Sequence, residues 1–186
     1  SYDGVTTATP LAVLKNTGDL ANVNVLNMFL GNIPGTIGET SVVCLLVGAA
    51  YLLIRRVIKP VIPFTYIGTF AVLIMIYAVA SGRGFDLTFL AAHLCGGGLM
   101  LGAFFMATDY VTSPITPAGK VVFGVILGIL TFCFRIYGGS AEGVSYAIIF
   151  SNLLVPLIER WTQPKSFGEG AELAAQGDTA GTKSKI

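Results

Sequence analysis

"VIPFTYIGTFAVLIMIYAVA", residues 61–80, runs for twenty residues without a charge. Roughly 20 apolar residues in a helix cross the hydrocarbon core of a bilayer, so this run predicts a transmembrane helix. Four other stretches give the same reading: 39–56, 87–108, 119–137 and 143–160. Short polar turns separate the five: "RRVIKP", "SGRGFD", "TDYVTSPITPAGK" and "YGGSAEG". The predicted fold class is all-α integral membrane, with five transmembrane helices and a half-helix before them.

Composition agrees. Of 186 residues, 54% are hydrophobic and 11% charged, with a mean hydropathy of +0.77. Soluble domains carry roughly 25% charged residues, too many for this chain to match. The formal net charge of +1 excludes a strongly electrostatic nucleic-acid binder. Cys44, Cys95 and Cys133 lie inside apolar runs without C-x-x-C spacing. They read as small core residues and as poor iron–sulfur ligands. No signal peptide is visible, and the abrupt start in a polar segment raises the expectation that residues precede Ser1.

Orientation follows from Lys and Arg. One face holds Arg55, Arg56, Lys59, Lys120, Arg160, Lys165, Lys183 and Lys185, and the other Lys15, Arg83 and Arg135. The first, richer face is expected to be cytoplasmic. Three regions result: an extracytoplasmic segment 1–37, a five-helix transmembrane domain 38–160 and a flexible cytoplasmic tail 161–186. Within the first, "PLAVLKNTG" predicts a short helix from Pro10 ended by Gly18. "LANVNVLNMFLGNIPG" is too short and polar to span and predicts an interfacial or re-entrant half-helix. Irregular backbone at membrane depth requires cover from protein or a cavity, which points to a site there.

Gly98 with Gly102, and Gly124 with Gly128, have the G-x-x-x-G spacing that brings helices close. "CGGGL", Cys95 to Leu99, would admit a flat ring or another backbone. Thr36 and Glu39 form a capping box that would start the first span. Asp86 can cap the third span, and Ser140 or Glu142 the fifth. Three helix N-termini then face outward, an arrangement that favours an anion such as a phosphate. Asp109 and Glu159 lie at the inner, C-terminal ends of spans, where the helix dipole disfavours acids. They suit a cation entry site, an Asx turn at Asp109 or an ion pair between Glu159 and Arg160. His93, the only histidine, reads as a packing residue. Arg135 either snorkels to the interface or meets an anionic cofactor. No nucleophile–base pair, Walker loop or dinucleotide fingerprint is present.

The opening segment "DGVTTATPL", residues 3–11, is rich in hydroxyls. With "GTIGETS", "MATDYVTSPITPAGK" and "RIYGGSAEGVSYAIIFSNLLVPLIER", it resembles the D subunits of Rnf complexes. These are related to the B subunits of sodium-pumping NADH:quinone reductases. The similarity runs in order from residue 3 to about 166. In that family a threonine carries FMN through its phosphate, in a pattern close to Asp-Gly-x-Ser-Gly-Ala-Thr-Pro-Leu. The resemblance implies Thr9 as the attachment residue; the family's glycine is Thr7 here. It also implies that Thr36, Gly38, Glu39 and Thr40, and Gly138, Gly139 and Glu142, lie near this flavin. A second, non-covalent flavin, riboflavin, is implied without residues. Asp109 and Glu159 match acids linked to cation uptake.

The family fold is two inverted halves of about ten helices, similar to urea transporters, and five helices make one such half. The missing N-terminal half, or a separate chain, is then a partner. So are other Rnf-type membrane subunits, including a second flavin carrier and an iron–sulfur subunit. The implied activity is electron transfer within a ferredoxin:NAD oxidoreductase that moves Na+ or H+ across the inner membrane, with no NAD site on this chain. The rival expectations are a small-solute permease of the same scaffold and a purely structural membrane protein.

Overall fold

The structure, a computed structural model, describes residues 25–32, 40–82, 84–96, 98–138 and 143–163. Thr9 and its segment, the helix expected from Pro10, the Thr36–Glu39 box, Arg83, residues 139–142 and the tail lie outside the described residues. No strand occurs among the described residues.

The first helix, α1 (Val25–Leu30), falls in the expected half-helix and buries Met28. It ends at Gly31, whose φ of +93° suits glycine. A Cβ there would lie 2.7 Å from that of Ser41, so α1 closes directly against the start of the next helix.

That helix, α2, covers Val42–Ile54. Its N-cap is Ser41, whose Oγ accepts from the Cys44 N–H at 3.4 Å. Thr40 and Ser41 are not helical, which corrects the start expected at the Thr36 box. Thirteen residues reach only about 20 Å, short of a hydrocarbon core of roughly 30 Å. At its other end the Arg56 N–H donates to the Leu53 carbonyl and the Val57 N–H to that of Leu52. This is a Schellman close, with Arg56 at φ +55° where glycine is usual.

The long helices are α3 (Val61–Ala80) and α6 (Pro117–Ile136), each of 20 residues and apolar enough to cross a membrane. Buried Ile62, Tyr66, Phe70, Ile74 and Ala78 recur every four residues along α3, while Phe64, Val72 and Ile76 are exposed. Contacts between α3 and α6 run in the same order along both. Ile62 and Thr65 meet Gly124, and Thr69 meets Gly128; the Tyr77 and Phe132 rings are 6.1 Å apart. The two helices are therefore parallel, and the chain must recross the bundle between them.

The recrossing segment is α4 (Leu87–Cys95) with α5 (Leu99–Leu101), which continues as a π-helical turn at Gly102–Met106. The two parts are bent by 63° and make a third candidate span when counted together. Asp86 caps α4 as expected, accepting from the Thr88 and Phe89 N–H groups at 2.9 and 3.2 Å. The last helix, α7 (Val144–Thr162), runs antiparallel to α6, since Thr116 meets Thr162 and Phe134 meets Phe150. It begins after Gly143; the expected caps Ser140 and Glu142 lie outside the described residues. Its 19 residues include Asn152, Pro156, Glu159 and Arg160. It is not among the helices apolar enough to count as spans.

The glycine pairs do different work. A Cβ at Gly124 or Gly128 would lie 2.9 or 2.7 Å from the Cβ of Thr65 or Thr69, so this pair sets the α3–α6 approach. Gly102 gives room to Val144, whereas Gly98 has φ +64° and serves the break itself. Buried between α3 and α6, the Tyr66 and Thr131 hydroxyls share a 2.6 Å hydrogen bond.

Candidate functional site

The sequence Gly96-Gly97-Gly98 has low helix propensity, and α4 stops there. Gly96 is extended, with ψ 159°. A helix end leaves carbonyls without intrahelical partners, a large cost inside a bilayer. Arg135 of α6 answers that need. Its Nη1 donates to the His93 carbonyl, and its Nη2 to the Gly96 carbonyl at 3.1 Å. The guanidinium carbon stands 5.1 Å from the centre of the Phe70 ring, a cation–π distance. The cation also faces the negative end of α4.

Arg135 is only 1% exposed, which overturns the snorkelling expectation. What approaches the triple glycine is a guanidinium from a neighbouring helix. His93 is buried beside Phe89, with ring centroids 4.5 Å apart and edge-on, in line with the packing role.

Of the residues the resemblance implied near the flavin, Thr40 is half-buried just before the Ser41 cap, and Gly138 follows the end of α6. A Cβ at Gly138 would run into the Phe134 carbonyl oxygen, so the turn leaving α6 requires glycine. Thr9, Thr36, Gly38, Glu39, Gly139 and Glu142 lie outside the described residues. Of the helix N-termini expected to favour an anion, those of α2 and α4 are already capped by Ser41 and Asp86. The start of α7 follows Gly143, which has no side chain of its own to cap it.

Asp109 and Glu159 converge on one connection, residues 107–116. Asp109 Oδ2 accepts from the Thr112 hydroxyl at 3.3 Å, and its backbone carbonyl accepts from the Ser113 N–H at 3.1 Å. Glu159 Oε1 accepts from the Ile115 N–H at 3.1 Å, tying the connection to α7. Two threonines finish the attachment. Thr162 donates to the Ile158 carbonyl at 2.8 Å. Its single proton is then used, so Thr116 donates in their 2.8 Å contact. Thr116 also accepts from the Gly119 N–H at 3.1 Å as the N-cap of α6. Among the described residues no group of three or more His, Cys, Asp or Glu could hold a metal ion.

Sequence reasoning missed the Tyr66–Thr131 bond and the carbonyl partners of Arg135. A usable signal existed: an arginine in one apolar run is a donor, and a run of glycines in another marks a helix end with carbonyls to offer.

The sequence profile of the NQR2, RnfD, RnfE family matches residues 1–168. The chain belongs to that family. It is 42% identical over 168 residues to the D component of the Na+-translocating ferredoxin:NAD+ oxidoreductase complex of Acetobacterium woodii, covering 89% of this chain and 50% of the relative. It is 41% identical over 174 residues to the proton-translocating counterpart of Clostridium ljungdahlii, covering 89% and 52%. The D component of an ion-translocating oxidoreductase complex of Haemophilus influenzae is 37% identical over 182 residues, covering 90% and 49%. The chain thus spans about half the length of these curated relatives. As a member of the NQR2, RnfD, RnfE family with at least two apolar crossing helices, it is a membrane protein.

Proposed function

We propose that this chain is the flavin-carrying half of the D component of an Rnf-type complex, which couples ferredoxin:NAD oxidoreduction to cation translocation. The observation that carries the reading is the family match across residues 1–168, a range that includes the whole DGVTTATPL segment. FMN joined through its phosphate to Thr9 supplies electron transfer when bound. The protein's part is to hold and orient it. The N–H groups of Gly143, Val144 and Ser145 at the head of α7 would offer donors to a phosphate, and the Gly138 turn, with Thr36, Gly38, Glu39, Thr40, Gly139 and Glu142, would flank it. Riboflavin is the proposed second flavin.

Five crossings are proposed: α3, α6 and the bent α4–α5 pair, which are apolar enough by themselves, with the short α2 and the more polar α7 crossing under cover of the rest of the assembly. Together they are equivalent to an inverted half of a urea-transporter-like fold. The N-terminal half and the other Rnf-type subunits complete the assembly in the inner membrane, with the Thr9 segment on the extracytoplasmic side. Asp109 and Glu159 form the cation entry at the cytoplasmic side. Relatives named for sodium and for proton translocation are 42% and 41% identical to the chain, so the ion is proposed as a monovalent cation, Na+ or H+.

The test is in-gel ultraviolet fluorescence of the denatured protein, wild type beside Thr9→Val, after coexpression with an active flavin transferase. A fluorescent band that disappears in the variant supports the reading. A dark wild-type band overturns it. One observation, the α4–α5 break, equally suits a small-solute permease, and a colourless protein that moves solute would select that alternative.

A further inference from the structure

At the end of the bundle opposite Gly138, a cavity of about 90 Å³ opens between the α2–α3 turn, the α5–α6 connection and the start of α6. That is several times the space one water needs. Arg56, Lys59 and Lys120 line it together with Thr108, Tyr110 and Ser113, and no acid does. Two of the hydroxyls are already committed: Thr108 donates to the Phe104 carbonyl at 2.7 Å, and Tyr110 donates to the Val57 carbonyl. The second bond fixes the turn that presents Arg56 and Lys59. The donors that remain for a guest are three cations and the Ser113 hydroxyl.

The backbone carries a second sign. Arg56 holds the left-handed position of the α2 close, where glycine is the unstrained choice. An arginine there brings strain and adds one more positive charge to a cavity that already has two lysines. Like charges gathered in this way are stabilised by an anion. The apolar surface of Val61, Phe64 and Val121 beside the mouth is exposed, as a lipid-facing surface would be.

We propose that this cavity binds the phosphate of an anionic phospholipid headgroup, with the acyl chains along α3 and α6. Basic pockets between transmembrane helices on the cytoplasmic side have this chemistry, and the surplus of Lys and Arg assigns this end to that side. A bound headgroup would bridge the α2–α3 turn and the start of α6.

The test uses the complete complex, delipidated in neutral detergent. Its melting is followed during titration with phosphatidylglycerol, with phosphatidylcholine and with inorganic phosphate. Phosphatidylglycerol should stabilise the wild type, and phosphatidylcholine should not. Removing each cation should raise the half-saturating phosphatidylglycerol concentration roughly fivefold. The double variant Lys59→Gln/Lys120→Gln should then need roughly 25-fold more. Arg56→Gly relieves backbone strain, so it should fold at least as well without lipid yet bind phosphatidylglycerol less tightly. If inorganic phosphate alone reproduces the difference between wild type and variants, the phosphate is a free ion and the lipid assignment falls. Equal responses of the wild type and both variants overturn the cavity as a phosphate site.

Discussion

Arg135 on α6 donates to the backbone carbonyl of His93 on α4, so the cation of one helix closes the broken end of another. The contact links three features that are far apart in sequence: a triple glycine, a buried arginine and the Phe70 ring beneath it.

Arg135→Leu should deprive the His93 and Gly96 carbonyls of their guanidinium donors and cost roughly 2–5 kcal/mol. Arg135→Lys should rescue only part of this, because an ammonium lacks the planar fork that reaches both carbonyls. Half-buried Cys95 lies at the break. Residue-resolved maleimide labelling in membranes should show faster Cys95 modification in both variants, faster in the leucine variant. An unchanged rate would show that the break holds without the arginine.

Gly128→Ala should push α3 and α6 apart, since the new Cβ would fall 2.7 Å from that of Thr69. Overpacking of this kind costs roughly 1–3 kcal/mol. Gly68→Ala, with nothing within 4 Å, is the control and should be neutral or slightly stabilising. Thermal melting of the purified protein in detergent distinguishes the two.

Tyr66→Phe removes the hydroxyl that pairs with Thr131 across α3 and α6. Hydrogen bonds between membrane helices contribute about 0.6 kcal/mol on average and up to roughly 1.7. A double-mutant cycle with Thr131→Val should return a coupling in that range. A coupling near zero would mean that shape alone holds the pair.

Glu159→Gln keeps an oxygen able to accept from Ile115 N–H but removes the charge. Stability should change by less than about 0.5 kcal/mol, as for most surface substitutions. Ion uptake by the reconstituted complete complex should fall while electron flow continues. Glu159→Ala should also loosen the 107–116 connection, detected as faster amide exchange at Ile115. Full coupling in the glutamine variant would leave Glu159 with the anchoring role alone.

The expected helices were legible where a local rule decides them. The uncharged run at 61–80 became α3, and Asp86 caps α4 because a side chain two or three residues away satisfies the first N–H groups. Thr116 caps α6 and Pro117 opens it by the same local rule, two residues before the start expected at 119. Boundaries were less legible. Ser41 took the cap expected from Thr36, because several hydroxyl residues in "GTIGETS" compete for one helix start. The attachment residue Thr9 was readable only through the family pattern, since a threonine in a polar segment has no distinguishing local physics.

Apolar length and helix periodicity are properties of neighbouring residues, so the sequence by itself determined a helical membrane chain, whereas the break after Cys95, inside the single span expected at 87–108, came from the structure. The inward turn of Arg135, the parallel α3–α6 pairing and the gathering of Arg56, Lys59 and Lys120 were decided by tertiary structure alone. Each depends on which helix lies beside which. An arginine at a span end can equally reach water or a neighbour's carbonyls, and only the position of the broken α4 made the second choice available.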